Sequence, residues 1–235
     1  MYCISDLGPS WPPYYGYKKL GFEDLCQFRS RYYVRLDYFI GNKLLGSRLN
    51  TNFSRSKTVE NITYCVSDHA PEGVLSQLPA TSHEGKIESI KDINNLLWKG
   101  SHPSAHYVYA YALNTRGELQ SLYWLKTSDG MTYNMGLHFA QDNKMAKRLF
   151  RYFVRVCKAS AVAAWSFALD ANDQQLLKTL RMFKIPFINT IRKNPPVIVR
   201  SLKTKEDGSI DWMINGLDIR KPENWIINKY DGDSF

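Results

Sequence analysis

The chain contains no run of 18 or more apolar residues, so no segment is long enough to cross a bilayer as a helix. Its opening, MYCISDLGPSWPP, has no basic region followed by a long apolar one, which argues against a signal peptide. Cysteine is sparse: Cys3, Cys26, Cys65 and Cys157 are the four in 235 residues, far apart and with no C-x-x-C pair. Zinc spacing is thereby excluded and a disulfide framework would be thin, so reduced cysteines in a cytoplasmic protein are the expectation. The five histidines, His69, His83, His102, His106 and His138, fall into no metal-ligand spacing either. There is no long Lys/Arg block and no RNP-type or helix-turn-helix signature. The net charge of +9 and the isoelectric point near 9.3 therefore indicate a generally basic surface, not a dedicated nucleic-acid site. What the chain does have is 44% hydrophobic and 14% aromatic residues, enough for the core of one large or two modest domains.

Residues 2 to 6 are short and apolar enough for a strand, and Pro12 and Pro13 open a short helix that should stop at Gly21. CQFRSRYYVRLDYFI, up to about residue 39, alternates as one or two strands would. From about Gly46 to Thr81 the composition turns to Ser, Thr and Asn, which suggests an irregular joint with weak strand pieces around NITYCV. Ile87 to Trp98 has helical spacing. HYVYAYAL, LQSLYWLKT and MTYNMGLHF then read as an antiparallel meander, turned at NTRGE and SDG. A helix from about Asn143 to Ala159 follows. Met145, Leu149, Phe153 and Val156 make its apolar stripe, and Lys144, Lys147, Arg151, Arg155 and Lys158 its basic face. AVAAWSFAL is a fully buried strand by its lack of charge, residues 172 to 183 a further helix, and PFINT and PPVIVRSL further strands. The tail from Thr204 carries Trp212 and Trp225, which predict that it packs. This order is an α/β layer arrangement in which one crossover joins MTYNMGLHF to AAWSFAL as a parallel pair.

That order resembles the GNAT superfamily of acyl-CoA-dependent N-acyltransferases. The family's loop Q/R-x-x-G-x-G/A holds the coenzyme A pyrophosphate on backbone N–H groups at a helix N-terminus. The matching text is Gln141-Asp142-Asn143-Lys144-Met145-Ala146, in which the central Gly is Lys144 and Asp142 adds a negative charge. The resemblance thus implies coenzyme contacts at Gln141, Asn143, Lys144, Met145 and Ala146. It also implies a general acid, in many members a Tyr within Asn-x-x-Ala-x-x-Leu-Tyr-x-Lys-x-Gly-Phe. DANDQQLLKTLRMFKIPF resembles that segment with KIPF in place of Gly-Phe, but has no Tyr. Tyr17-Lys18-Lys19-Leu20-Gly21-Phe22 matches it better and makes Tyr17 the candidate acid. His138, near the end of the proposed fourth strand where the family's cleft opens, is the candidate base, although alternation with Tyr133 and Asn134 does not settle its face.

Two copies of one motif in the same order imply a tandem protein: an α/β fold with a GNAT-like mixed sheet flanked by helices, one unit complete and one cut short. The expected division is residues 1–48 for the end of a first unit, 49–82 for a joint, 83–203 for a complete unit and 204–235 for a packed tail. The implied activity is acyl transfer from acetyl-CoA or another acyl-CoA to a small-molecule or peptide amine, with transfer from aminoacyl-tRNA as a variant. The alternative is a catalytically degenerate module that binds a protein or an anionic polymer. A homodimer that exchanges strands would complete the first unit, as would residues upstream of Met1.

Overall fold

Apolar alternation and well-placed turn residues build the centre of the molecule. In this computed structural model, which describes residues 12–27, 30–45, 52–79, 84–89, 91–103, 105–165, 171–185, 196–227 and 229–231, the three meander strands are β5 (His106–Leu113), β6 (Leu119–Thr127) and β7 (Thr132–Ala140). Asn114 closes the first turn, its side chain accepting from the backbone N–H groups of Arg116 and Glu118, both at 2.9 Å. Asp129 closes the second by accepting from Met131 (2.8 Å) and Thr132 (2.7 Å). Helix α5 (Asn143–Val156) then crosses over to β8 (Ala161–Trp165), which lies parallel to β7 from Thr132↔Ala161 to Met135↔Ala164.

The stretch read as irregular between 46 and 81 instead contributes β3 (Ser54–Val59) and β4 (Ile62–Ser67), a hairpin added to the edge of the same sheet beside β5. Its turn residues Glu60 and Asn61 both have positive φ, as a two-residue hairpin loop requires. Every residue of β3 is exposed, so no buried face imposed alternation on SRSKTV. The expected helix from Ile87 also differs. Helix α4 runs Ile93–Gly100, started by Asp92, whose carboxylate accepts from Asn95 N at 2.8 Å. Ile87 is extended and bridges the tail, its N–H donating to Asn224 O (2.7 Å) and its carbonyl accepting from Ile226 (3.0 Å). A tertiary partner overrode helical spacing there.

At the N-terminal end, α1 (Pro12–Lys19) leads to β1 (Glu23–Gln27) and β2 (Ser30–Val34), after which the chain forms α2 (Leu36–Leu45) where strand was expected to continue. Beyond β8, α6 (Ala171–Thr179) precedes β9 (Pro196–Val199). The expected strands at residues 2–6 and at PFINT lie outside the described residues. The main sheet has seven strands in the order β2-β8-β7-β6-β5-β4-β3, while β1 pairs with β9 in a separate two-stranded sheet.

One face of the main sheet packs on α5 through Ala146, Leu149, Phe150, Phe153 and Val154. The other packs on α4 and α3 (Glu72–Leu75) around Leu96, Leu122 and Trp124. A third cluster joins the two-stranded sheet to the tail, where buried Trp225 donates from Nε1 to Ile219 O at 2.8 Å. Cys65 and Cys157 are free thiols.

Candidate functional site

The pairing of β7 with β8 among the described residues runs to Met135↔Ala164, and β7 continues to Ala140. The β6–β7 register slips at the same place, since Trp124 faces Leu137 and the next residue, Leu125, faces Met135. Gly136 is therefore the extra residue of a bulge, and a bulge reverses which face later side chains take. Tyr133 and Met135 pack on the α5 side, but Leu137 packs on the α4 side. His138 is thereby turned to the α5 side, the point that alternation left open.

There its Nε2 meets Asp173 Oδ1, in the first turn of α6, at 2.7 Å. The side chains are 10% and 25% exposed, so the pair is largely withdrawn from water. A carboxylate accepting from Nε2–H fixes the imidazole and makes Nδ1 its basic nitrogen. Nothing in the sequence flagged Asp173, which reads as an ordinary helix residue; the bulge that aligns it with His138 is a tertiary feature.

The loop that carries the coenzyme motif lies just beyond β7. Asp142 is the N-cap of α5: its carboxylate accepts from Lys144 N at 3.1 Å and Met145 N at 3.0 Å. This is the usual stabilising role of Asp at that position, worth roughly 1 kcal/mol. Its N–H donors are those that would face a pyrophosphate, and Ala146 N is engaged with Asp142 O (2.9 Å) as the first helical bond. The backbone on the other side is equally committed. Gln141 Nε2 donates to Leu119 O (2.9 Å), and the buried Tyr123 hydroxyl donates to Ala146 O (3.0 Å). Asn143 and Lys144 are exposed and Met145 half-buried against the core. As folded, the loop does not fit a pyrophosphate, because a fixed carboxylate already holds its free amides and would repel the ligand.

Hydrogen bonding at the ends of α1 and α6 aligns the two segments with each other. After α1, Leu20 N donates to Gly16 O (3.1 Å), Gly21 N to Lys18 O (3.0 Å) and Phe22 N to Tyr17 O (3.1 Å). After α6, Leu180 N donates to Leu176 O (2.9 Å), Arg181 N to Lys178 O (2.9 Å) and Met182 N to Leu177 O (3.0 Å). These are the same Schellman-type closures. They place Arg181-Met182, not KIPF, against Gly21-Phe22, and Leu177 against Tyr17. Leu177 is only 1% exposed and belongs to the main core. Tyr17 itself stands on the helix that leads into the two-stranded sheet, its ring edge-on to Phe22 at 5.1 Å. His138 and residues 141–146 belong to the seven-stranded sheet, so the expected site residues fall into two parts of the fold.

A polar cleft of roughly 600 Å³ opens at the opposite end of the main sheet, lined among others by Arg55, Asp68, His106 and Thr127. It contains none of the expected site residues.

A mixed seven-stranded sheet flanked by helices, with a parallel pair joined through α5 and a bulge in β7, defines a GNAT-like α/β fold. No family model matches the chain, and no curated protein matches it. Among solved structures it is similar to a tandem GNAT protein from the clavulanic acid biosynthesis pathway, at 9% identity over 85% of this chain and 61% of that one, with a TM-score of 0.44. It is also similar to a conserved protein of unknown function from Enterococcus faecalis V583, described as a probable N-acyltransferase, at 14% identity over 72% of this chain and 39% of that one, with a TM-score of 0.42. The chain thus spans less than two thirds of either relative. Strand order and register, independent of these likenesses, define the fold.

Proposed function

We propose that this chain is a GNAT-like module that binds an anionic polymer and no longer transfers an acyl group. The observation that carries this reading is the Asp142 carboxylate on the Lys144 and Met145 amides, where the fold's coenzyme phosphates would need those donors free. Lys144 in place of Gly and Leu177 in place of the acid Tyr agree with it. The basic face of α5 supplies the binding surface. Arg148 is paired with Glu60 at 2.6 Å, whereas no carboxylate among the described residues pairs with Lys144, Lys147, Arg151 or Arg155. The division of the described chain into the end of one unit and a second unit belongs to the same proposal. Reciprocal pairing supports it: β1 pairs with β9, and β2 pairs with β8 and bridges Phe183 through Tyr32.

A second reading, acyl transfer from an acyl-CoA to an amine, is favoured by the His138–Asp173 pair. Burying such a pair costs free energy that packing alone does not require, and titratable groups withdrawn from water gather at functional sites. Here His138 would take the amine proton, and Tyr17 would serve only the first unit.

Calorimetric titration with acetyl-CoA separates the two. The module reading expects no heat and no thermal shift at millimolar acetyl-CoA. It also expects retention on heparin that falls steeply with salt and is lost in Arg151→Glu/Arg155→Glu. Binding of acetyl-CoA that Asp142→Gly strengthens and His138→Ala leaves catalytically dead would install the transferase reading instead.

A further inference from the structure

Neither functional reading uses the polar cleft at the far end of the main sheet. Its volume of roughly 600 Å³ is that of a small-molecule site. It opens where β4 and β6 end and where β3 and β5 begin, and hydrogen bonds within the fold fix its walls. The Asp68 carboxylate accepts from Phe53 N at 3.0 Å and from Asn52 N, and so holds Asn52 in the left-handed region at φ +58°. At the end of β6, Thr127 Oγ1 accepts from Gly130 N at 2.9 Å. A cleft formed in advance loses little conformational freedom when it binds.

The charges in its lining do not balance. Asp68 is committed, since His69 Nδ1 lies 2.7 Å from its Oδ1 in addition to the two amides. Arg55 donates to Ser54 O at 3.4 Å and meets no carboxylate among the described residues. A guanidinium in this state at a concave site suits an oxyanion, which its planar fork takes with two parallel hydrogen bonds. The rest of the wall limits the charge of that oxyanion. Helix α5 ends in the cleft at Val156 and Cys157. A helix C-terminus presents carbonyl acceptors and partial negative charge, so it receives hydroxyl groups and, together with Asp68, disfavours a dianion. We propose that this cleft binds a small hydroxylated monocarboxylate, its carboxylate on the Arg55 guanidinium and its hydroxyls on the polar wall. Neither residues 141–146 nor His138 lines the cleft, and Arg55 stands on β3, so binding here is separate from acyl transfer and from the basic face of α5.

Calorimetric titration of the full chain with sodium gluconate and with glucuronate, an open-chain and a ring form of this class, tests the proposal. Sorbitol serves as the gluconate chain without its carboxylate, and inorganic phosphate as an anion without a hydroxylated body. The expected result is saturable one-site binding of at least one sugar acid, none of sorbitol, and phosphate binding at least about tenfold weaker. Arg55→Gln should weaken sugar-acid binding by about 10- to 100-fold, the range for a hydrogen bond to a charged group, with an unchanged circular dichroism spectrum. Arg116→Gln, which removes the same charge from the exposed β5–β6 turn, should leave binding unchanged. No binding of either sugar acid up to about 10 mM, or binding that Arg55→Gln leaves intact, overturns the proposal. Sorbitol that binds as well as gluconate, or phosphate that binds as tightly, overturns the assignment to a hydroxylated monocarboxylate.

Discussion

The chain contains the same helix ending twice, and its two copies have had different fates. Both close with hydrogen bonds of the same pattern, and both end on a residue in the left-handed region, Gly21 at φ +82° and Arg181 at φ +59°. Around α6, however, Leu176, Leu177, Leu180 and Met182 are all buried, whereas Leu20, the counterpart of Leu180, is 58% exposed. α6 lies over a seven-stranded sheet and α1 beside a two-stranded one. A local motif sets the backbone; only a neighbouring layer decides whether its side chains become core. The side chains have parted in the same way: at equivalent positions the first ending has Tyr17 and the second Leu177, which is packed in the main core.

Truncating the two equivalent leucines sharpens this contrast most. Leu180→Ala is expected to cost about 2–5 kcal/mol in urea unfolding, the usual range for a buried leucine. Leu20→Ala should stay within about 0.5 kcal/mol, as for an exposed site. Equal losses would mean that α1 is buried in solution by something the isolated fold lacks.

The two left-handed residues come next. A Cβ on Gly21 would sit 3.3 Å from Ile210 Cδ1 in a conformation that already disfavours side chains, so Gly21→Ala should destabilise by about 1 kcal/mol. Arg181→Gly should instead stabilise by up to about 1 kcal/mol, because it relieves a non-glycine residue at positive φ. Thermal unfolding of the pair reads both, and a shared sign would show that the caps are not equivalent.

The smallest effect concerns pH and compares a turn of the main sheet with a pair in the tail. Burial pushes the Asp129 carboxyl up, but hydrogen bonds from the Thr132 and Met131 amides and the Thr132 and Thr127 hydroxyls prevail and hold it below its ordinary 3.8. Its stabilisation is therefore complete above about pH 4 and is lost as pH falls through the depressed value. Asp129→Asn should flatten the acid limb of the stability curve. Asp218 is also held low, at about 2, by hydrogen bonds from Arg220. The Arg220 end of that pair is half exposed and screened by water, so Asp218→Asn should change the limb less than Asp129→Asn does. Loss of the limb in the second variant alone would reverse the assignment.

The meander, the crossover and α5 were legible in the sequence, because each has one buried face and turn residues that suit it. Asp142 was legible as a helix start as well as a mismatch to the coenzyme motif. Strand β3 was hidden, since an edge strand with every residue exposed need not alternate. Ile87 misled because its helical spacing lost to a backbone bridge with the tail. The KIPF alignment failed because a non-glycine residue, Arg181, took the left-handed position that the motif reserves for Gly.

The sequence by itself determined the layers and their order, since periodicity and turn chemistry are local properties. It also determined the two departures from the family motif, Lys144 in place of Gly and no Tyr near Leu177, which are matters of residue identity. Only the tertiary structure decided that a bulge at Gly136 turns His138 toward Asp173, that Asp142 closes over the amides of its own helix, and that β1 and β2 take partners from the far end of the chain. Each of these joins groups that no short stretch of sequence contains, and strand register and strand pairing set their geometry.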